Sequence, residues 1–530
     1  MPASVRAMPR LAKSRATAQS RAVFDRHPRL LALALGFASA CGFAPLNWWP
    51  LTLAALAVLM ALLLRQTRLR DALLMGWLFG WAHFTLGLNW IQKSFTYQDQ
   101  MPHWLGYLAP ALLSVYLALF PAAAAGLAWR HGRHDRRVFV LLLAAAWIVV
   151  ELLRAKLFTG FPWNPLGATL LPLIELARAA RWVGTYGLGG MVILAAGAIL
   201  LGLGRHRRFA VGILASLIAL FVVGVQTPRP IPADAPRVLI VQPNIDQNTV
   251  QDDASRQRVL ATYAALTRRR QPGPTLVLWP EGAIRYLIEP GYPRGVYLPG
   301  EPDGVRLRLA SLLRPGDLLV TGADSLIYDA QPQLTGAHNA MFVIDAAGTI
   351  RARYDKAHLV PWGEYLPARA ILEPIGLSRV VPGAIDFIPG PGPATLSLPG
   401  FGALGLQVCY EIVFSGEVID RTARPRVLFN PSNDAWFGTW GPPQHLAQAR
   451  MRAIEEGVPV MRSTPTGISA LVAADGRLLA AIPSGVRGTI AARLPVAAPP
   501  TLFARFGNLL PWLFALLLAA IGVALARRAR

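Results

Sequence analysis

The sequence predicts a multi-pass α-helical membrane bundle of about eight spans, joined to a layered α/β domain that lies outside the cytoplasm. Three observations predict this architecture. Hydrophobic residues make up 54% of the 530 residues and charged residues only 15%, which is typical of membrane proteins. Long apolar runs occupy the first 226 residues and the C-terminus, whereas strand and helix patterns alternate between them. Basic side chains are concentrated in alternate loops of the apolar regions, which indicates an orientation.

Eight apolar runs are candidates for spanning helices, because several approach the roughly 20 residues needed to cross a bilayer. They are residues 29–46, 50–64, 71–91, 104–129, 138–155, 184–204, 208–226 and 508–526. Pro45 and Pro50 shorten or interrupt the first two runs. The stretch 160–183 predicts a segment at the membrane interface rather than a span.

The net charge of +23 reflects membrane topology and does not indicate a nucleic-acid partner. Residues 227–507 contain 27 Lys and Arg against 23 Asp and Glu, so nearly all of the excess lies in the apolar regions and their loops. If the N-terminus is cytoplasmic, the inside segments hold 20 Lys and Arg and the outside loops before residue 227 hold five. The positive-inside rule then predicts that seven helices carry residues 227–507 to the far side and that the eighth returns the chain.

These patterns divide the chain into four parts. Residues 1–28 form a basic cytoplasmic tail without predicted order, residues 29–226 form helices one to seven, residues 227–507 form the extracytoplasmic domain, and residues 508–530 form the eighth helix and a basic cytoplasmic tail. The basic and apolar N-terminus is typical of a retained first span, because further apolar runs follow at once.

Residues 227–507 follow a pattern of strands alternating with helices and hairpins, which predicts a layered α/β domain. A Pro-rich linker at 228–236 leads into it. The predicted strands are 237–245, 275–283, 318–326 and 427–434, the helices 253–270 and 442–456, and the hairpins 339–355 and 394–413.

Three polar residues follow predicted strands: Glu281, Lys356 and Cys409. Functional groups gather at the carboxyl ends of strands in α/β sheets, so we expect these three to converge. Singly, each is ordinary, because a Glu often caps a strand, a Lys is usually at the surface and a Cys is usually in the core. Together they suit covalent catalysis, since a thiol with a pKa of roughly 8.5 needs a base or a cation to attack a carbonyl. We expect the acid–ammonium pair to ionise the thiol.

The chain contains only two cysteines, Cys41 and Cys409, and their separation excludes a zinc motif or a disulfide framework. Cys41 lies in an apolar run, where a buried structural thiol is expected.

The motifs around these residues resemble those of the nitrilase superfamily. They are WPEG at 279–282, YDKAHLVPWGEYLP at 354–367 and VCYE at 408–411. With NPSNDAWFGTWGPPQH at 430–445, LFTGFPWN at 157–164 and the apolar runs, the chain resembles more narrowly the apolipoprotein N-acyltransferase family. The resemblance implies a nitrilase-like αββα sandwich in the periplasm, held by a multi-pass bundle in the bacterial inner membrane with both termini cytoplasmic.

The resemblance also implies an acyltransferase activity and roles for particular residues. Cys409 is the implied nucleophile, Glu281 the general base and Lys356 the stabiliser of the oxyanion. Further positions that match residues the family needs for activity are Glu364, Tyr410 and Glu411. Candidate substrate contacts are Trp362, Asn339, Trp436 and Trp440. The sequence departs from relatives at Val250–Gln251, where a Lys-Trp pair is common, and at Pro465, where Asn is usual.

The implied reaction is ping-pong transfer of a fatty acyl chain through a thioester. The donor is a phospholipid, expected to be phosphatidylethanolamine, and the acceptor is the N-terminal diacylglyceryl-cysteine amine of an apolipoprotein. No metal, nucleotide or other cofactor is required, and we expect a monomer. Aromatic stretches at 102–110, 157–165 and 435–443 are candidates either for lipid entry or for anchoring at the interface.

Two alternatives remain at this stage. A membrane-tethered amidase or thiol-dependent hydrolase would use the same residues with water as the acceptor. A transporter whose outer domain only binds ligand is disfavoured, because the predicted spans contain few charged residues.

Overall fold

The computed structural model describes residues 26–97, 101–225, 227–246, 252–268, 273–297, 300–376, 379 and 386–528. The predictions about most of the N-terminal tail, about Val250–Gln251 and about the last two residues lie outside this part of the chain.

Helices form in all eight predicted apolar runs. The longer helices are α1 Pro28–Ala40, α2 Trp49–Leu64, α3 Leu69–Gly87, α4 Leu105–Leu117, α5 Leu119–Gly132, α6 Arg136–Arg154, α7 Ala180–Gly202, α8 Arg207–Gly224, α9 Asp253–Thr267, α10 Pro302–Ala310, α11 Gly441–Glu456 and α12 Leu509–Arg528. The fourth run forms α4 and α5 in succession. Pro121 lies in the first turn of α5 and has no N–H to continue the ladder from α4, which explains the break.

Four segments of the described chain are long and apolar enough to cross a membrane: Leu105–Gly132, α7, α8 and α12. The helices α1 and α2 are apolar but shorter. Apolar side chains of α8 and α12 point outward, with Ile218 63% and Leu516 63% exposed, as lipid-facing helices require. The number of about eight spans stays a prediction.

Two six-stranded mixed sheets form the domain between α8 and α12. The first has the order β12-β1-β2-β3-β4-β5 and the second β11-β10-β9-β8-β7-β6. The strands are β1 Arg237–Gln242, β2 Thr275–Leu278, β3 Leu318–Tyr328, β4 Leu334–Asp345, β5 Ile350–Asp355, β6 Thr395–Leu398, β7 Gly402–Leu406, β8 Val427–Pro431, β9 Val460–Ser463, β10 Ser469–Val472, β11 Leu478–Ile482 and β12 Gly488–Arg493. In each sheet the three central strands are parallel to one another and the outer strands pair antiparallel. The carboxyl ends of the central strands therefore lie on the same side of the sheet.

The two sheets pack face to face through alternate apolar side chains. Val238 and Ile240 of β1 share one core with Leu404 and Leu406 of β7. The intervening residues of β1 lie in a second core, beneath the apolar faces of α9 and α10. Strand alternation therefore builds an αββα sandwich, with α11 on the second sheet.

Helix α11 also joins the sandwich to the membrane bundle. Ala449 and Ala453 belong to the same core cluster as the strands of the second sheet, whereas Met451 and Ile454 belong to the core of the bundle. The two faces of one helix thus lie in two cores, as a 3.6-residue period allows.

A buried polar contact accompanies this packing. Glu455 of α11 accepts hydrogen bonds from the Thr185 hydroxyl of α7 at 2.6 Å and from the Ser415 hydroxyl at 2.7 Å. Arg452 forms an ion pair with Glu455 at 2.9 Å and donates to Thr185. These hydrogen bonds join α11 of the sandwich to α7 of the bundle.

Candidate active site

The three predicted catalytic residues follow strand ends, as expected. Glu281 comes after β2, Lys356 directly after β5, and Cys409 after β7. β2 and β5 belong to one sheet and β7 to the other. The three residues therefore lie where the strand ends of one sheet face the strand ends of the other.

A buried charge cluster surrounds Lys356. Its Nζ lies 3.2 Å from Glu281 Oε1 and 3.0 Å from Glu364 Oε1. The Asn339 amide donates to the same two oxygens, at 2.7 and 2.8 Å. The backbone N–H of Asn433 donates to Glu281 Oε2 at 2.8 Å. Asn339 thus holds two carboxylates in place, and its predicted contact with substrate stays a prediction.

The charge state of Lys356 follows from this cluster. Burial by itself would lower the pKa of the ammonium, but the carboxylates of Glu281 and Glu364 outweigh burial and raise the pKa above its usual value. Lys356 is therefore a fixed positive charge at neutral pH.

Cys409 begins a short 3₁₀ turn in a strained backbone conformation. Its φ of +50° lies in the left-handed region, which costs a non-Gly residue about 1–3 kcal/mol unless the surroundings enforce it. The side chain is only 4% exposed. Burial, and next the charge of Glu281, raise the pKa of the thiol well above its usual range, whereas Lys356 lowers it.

The resting nucleophile is therefore a neutral thiol. The expectation that the acid–ammonium pair ionises Cys409 is wrong for this state, because desolvation outweighs the ammonium. The charges of Glu281 and Lys356 both affect the pKa of the Cys409 thiol, so we expect Glu281 to take the thiol proton as the sulfur attacks.

Glu411 accepts hydrogen bonds from both the segment around Lys356 and the turn of Cys409. Its Oε1 accepts from the Tyr354 hydroxyl at 2.9 Å and from the backbone N–H groups of Ala357 and His358 at 2.7 and 3.1 Å. Its Oε2 accepts from the backbone N–H of Val408. Burial raises the pKa of Glu411 to about 7, against the opposing effect of these donors and of Lys356. Its role in the structure is to tie the turn of Cys409 to the segment after Lys356.

The loop after α6 covers the site from the bundle side. The Tyr410 hydroxyl donates to the carbonyl of Gly160 at 3.1 Å, and a ring nitrogen of His358 lies 3.1 Å from the carbonyl of Thr159. Arg154 donates to the carbonyls of Phe161 and Trp163, both at 2.8 Å. Residues 159–163 thus form a wall of the site that is hydrogen-bonded both to the bundle and to the sandwich. The interfacial position of 160–183 stays a prediction.

The three tryptophans predicted to contact substrate lie around the site. Trp362 is 38% exposed and has a φ of +66°. Trp436 packs edge-on against Tyr97 at 5.0 Å, and its carbonyl accepts from the Ser94 hydroxyl. Trp440 is half-buried at the start of α11. Their contact with substrate stays a prediction.

Sequence reasoning assigned no role to a buried chain of side chains behind the nucleophile. His445 Nε2 lies 3.0 Å from the carbonyl oxygen of Cys409, and its Nδ1 lies 3.1 Å from Asp434 Oδ1. Arg462 contacts both oxygens of Asp434, at 2.6 and 2.7 Å. The motif 430–445 contains His445 and Asp434, but the lone Arg462 in β9 gives no signal in the sequence.

The arrangement is suited to acyl transfer through a covalent intermediate. It combines a thiol, a carboxylate that can accept its proton, and a fixed ammonium able to stabilise a developing oxyanion.

Two family models match this chain. The N-terminal part, residues 35–198, matches the family model described as apolipoprotein N-acyltransferase N-terminal domain. Residues 237–498 match the model described as carbon-nitrogen hydrolase. Among solved structures, an amidase from Nesterenkonia sp. is 19% identical over 51% of this chain and 94% of its own, with a TM-score of 0.34. A nitrilase-superfamily protein from Saccharomyces cerevisiae is 20% identical over 53% of this chain and 97% of its own, with a TM-score of 0.36.

Relatives match along almost the whole chain. An apolipoprotein N-acyltransferase from Bradyrhizobium diazoefficiens is 36% identical, covering 94% of this chain and 95% of the relative. One from Rhodopseudomonas palustris is 33% identical, covering 91% and 92%. This similarity spans both the helical bundle and the sandwich, so the chain belongs to the apolipoprotein N-acyltransferase family.

Proposed function

We propose that this protein transfers a fatty acyl chain from a phospholipid to the N-terminal diacylglyceryl-cysteine amine of apolipoproteins, through a thioester on Cys409. The observation that carries the proposal is the buried Cys409 thiol near the ion pair of Glu281 with Lys356, under a wall loop of the helical bundle that binds the neighbouring Tyr410. A hydrolase of small soluble amides does not need a membrane bundle at its active site, whereas an enzyme that acts on two lipid substrates does.

In the first half-reaction, Glu281 accepts the thiol proton while the sulfur of Cys409 attacks the ester carbonyl of the phospholipid. A carbon–sulfur bond forms, and Lys356 stabilises the negative oxygen of the tetrahedral intermediate. Collapse breaks the ester carbon–oxygen bond. Glu281 returns the proton to the leaving oxygen, and a lysophospholipid departs.

In the second half-reaction, the amine of the lipoprotein attacks the thioester carbonyl. Glu281 takes a proton from the nitrogen, an amide bond forms, and the carbon–sulfur bond breaks as Glu281 returns that proton to the sulfur, which regenerates the thiol. Exclusion of water from the buried sulfur keeps the thioester from hydrolysis between the two steps.

Apolar side chains on the bundle support a lipid route towards this site. Phe158, in the wall loop, is 87% exposed and packs edge-on against Tyr116 of α4 at 5.3 Å. On the same helix Tyr107 is 70% and Leu112 64% exposed. These side chains form an exposed apolar flank that acyl chains can follow from the bilayer, and we propose phosphatidylethanolamine as the usual donor.

Intact-mass measurement of the purified protein tests the proposal. Incubation with phosphatidylethanolamine should add one acyl mass to Cys409, and a lipoprotein N-terminal lipopeptide should remove it as an N-acylated product. Cys409→Ala should carry no adduct, whereas Cys41→Ser should behave like the parent protein. Release of free fatty acid without N-acylated lipopeptide would instead favour the hydrolase.

We further propose that residues 29–226 and 508–530 span the bacterial inner membrane as about eight helices, with residues 227–507 in the periplasm and the protein a monomer. The one-sided distribution of basic residues supports this orientation. A phosphatase reporter, which is active only in the periplasm, should be active when inserted near residue 290 and inactive when fused at either terminus. Activity at a terminus would overturn the topology.

A further inference from the structure

The backbone carbonyl of Cys409, the residue with the strained φ, is hydrogen-bonded to a buried imidazole. His445 Nε2 lies 3.0 Å from this oxygen, and the Asn430 amide donates to it more weakly at 3.4 Å. His445 is completely buried and belongs to α11, the helix that also enters the core of the bundle. The conformation of the nucleophile is thus coupled to the position of this helix.

The neighbours of His445 hold its ring in one orientation. A carbonyl oxygen only accepts, so Nε2 must carry hydrogen to bind Cys409. Nδ1 lies 3.1 Å from Asp434 Oδ1 and 3.0 Å from Arg462 Nη2, so these two side chains fix the orientation of the ring. Burial, and next the charge of Arg462, lower the pKa of His445, against the opposing effect of Asp434. Asp434 neutralises Arg462 and holds it at this position.

We propose that His445, which donates from Nε2 to the Cys409 carbonyl and whose ring is held by Arg462 and Asp434, is a positioning residue that keeps Cys409 in its left-handed conformation and its sulfur near Glu281 and Lys356. The inference rests on the proposed function only in taking Cys409 as the nucleophile. Without the donor, the turn relaxes towards ordinary backbone angles and the sulfur moves away from its base. A displacement of about 1 Å is enough to lower a rate by about a hundredfold.

Two substitutions of similar size separate positioning from general support of the fold. In His445→Gln the terminal amide reaches the place of Nε2 and can still donate to Cys409. In His445→Asn the amide reaches only the place of Nδ1. The matched control is Gln448→Met, one turn further along α11, because the buried Gln448 amide has no hydrogen-bond partner among the described residues.

The measurements are acyl-enzyme formation from phosphatidylethanolamine and alkylation of Cys409 by iodoacetamide, both in a Cys41→Ser background and per folded molecule. His445→Asn should lower both rates about 30- to 100-fold with little change in the KM for the donor. His445→Gln should retain both within about fivefold, and Gln448→Met should match the parent. If His445→Asn does not fold, the Gln variant carries the test, and a loss of 30-fold or more in it overturns the proposal.

Equal rates in the Asn and Gln variants would also overturn the positioning role while leaving the acyltransferase intact. If instead the parent protein forms no acyl adduct but alkylation still differs between the two variants, the positioning role stands and the proposed function fails.

Discussion

Replacing Glu281 by Gln should slow acyl-enzyme formation about a thousandfold, because proton transfer by a placed general base contributes about 10²–10⁴ in rate. The effect is expected to be large because the Cys409 thiol has a pKa well above its usual range, so little thiolate is present without a base. The Gln side chain is the same size, but it cannot accept the thiol proton. Rapid-quench mass analysis of the first turnover measures the loss directly.

The same variant should react faster, not slower, with iodoacetamide. The charge of Glu281 is one cause of the raised thiol pKa, so its removal lowers that pKa and increases the thiolate fraction at pH 8. The matched control is Glu289→Gln, which changes a carboxylate in the same segment that binds Arg353 and Tyr292 away from the site. If alkylation of Glu281→Gln slowed in parallel with acyl transfer, Glu281 would be a structural residue and not the base.

Replacing Lys356 by Met should lower acyl-enzyme formation by about 10²–10³, the range found when one donor to an oxyanion is removed. The variant also loses the charge that lowers the pKa of Cys409, so alkylation at fixed pH should slow. It leaves Glu281 and Glu364 bridged only by Asn339, and breaking a buried ion pair costs about 3–5 kcal/mol. Thermal unfolding and first-turnover kinetics measure the two effects separately.

A double variant distinguishes catalysis from stability at this position. Lys356→Met with Glu364→Gln removes one of the two opposed carboxylates, so the unfolding temperature should recover much of the loss. The rate should not recover, because the oxyanion still has no ammonium. Recovery of activity together with stability would contradict the assigned role of Lys356.

Most of the fold follows from patterns that are local in the sequence. Apolar runs predicted the helices of the bundle, and shorter apolar runs predicted buried strands such as β1 and β3 close to their observed bounds. The helix predicted to reach residue 46 ends at Ala40, because the turn before Pro45 is set by packing against the next helix. The sequence did not predict that α11 packs into the core of the bundle, because the outward face of this helix is polar. Its residues Gln444, Gln448 and Arg452 are buried because the bundle packs against them.

The site was predictable in its residues and not in its protonation. Strand-end positions and motifs located Glu281, Lys356 and Cys409. The neutral state of the thiol depends on burial by residues that are distant in the sequence. The spacing of the motifs does not predict that burial. The role of His445 likewise depends on a contact between α11 and the turn after β7, and it becomes visible only when the two are placed together.

The double packing of α11 has a consequence for how this protein can diverge. A substitution that reshapes the side of α11 facing the sheets tilts the side facing the bundle, and each shift reaches the carbonyl of the nucleophile through His445. The membrane half and the catalytic half are therefore not interchangeable parts. Grafting the sandwich of a distant relative onto this bundle would bring two mismatched surfaces together along α11. Substitutions in the two halves are therefore expected to be coupled during evolution.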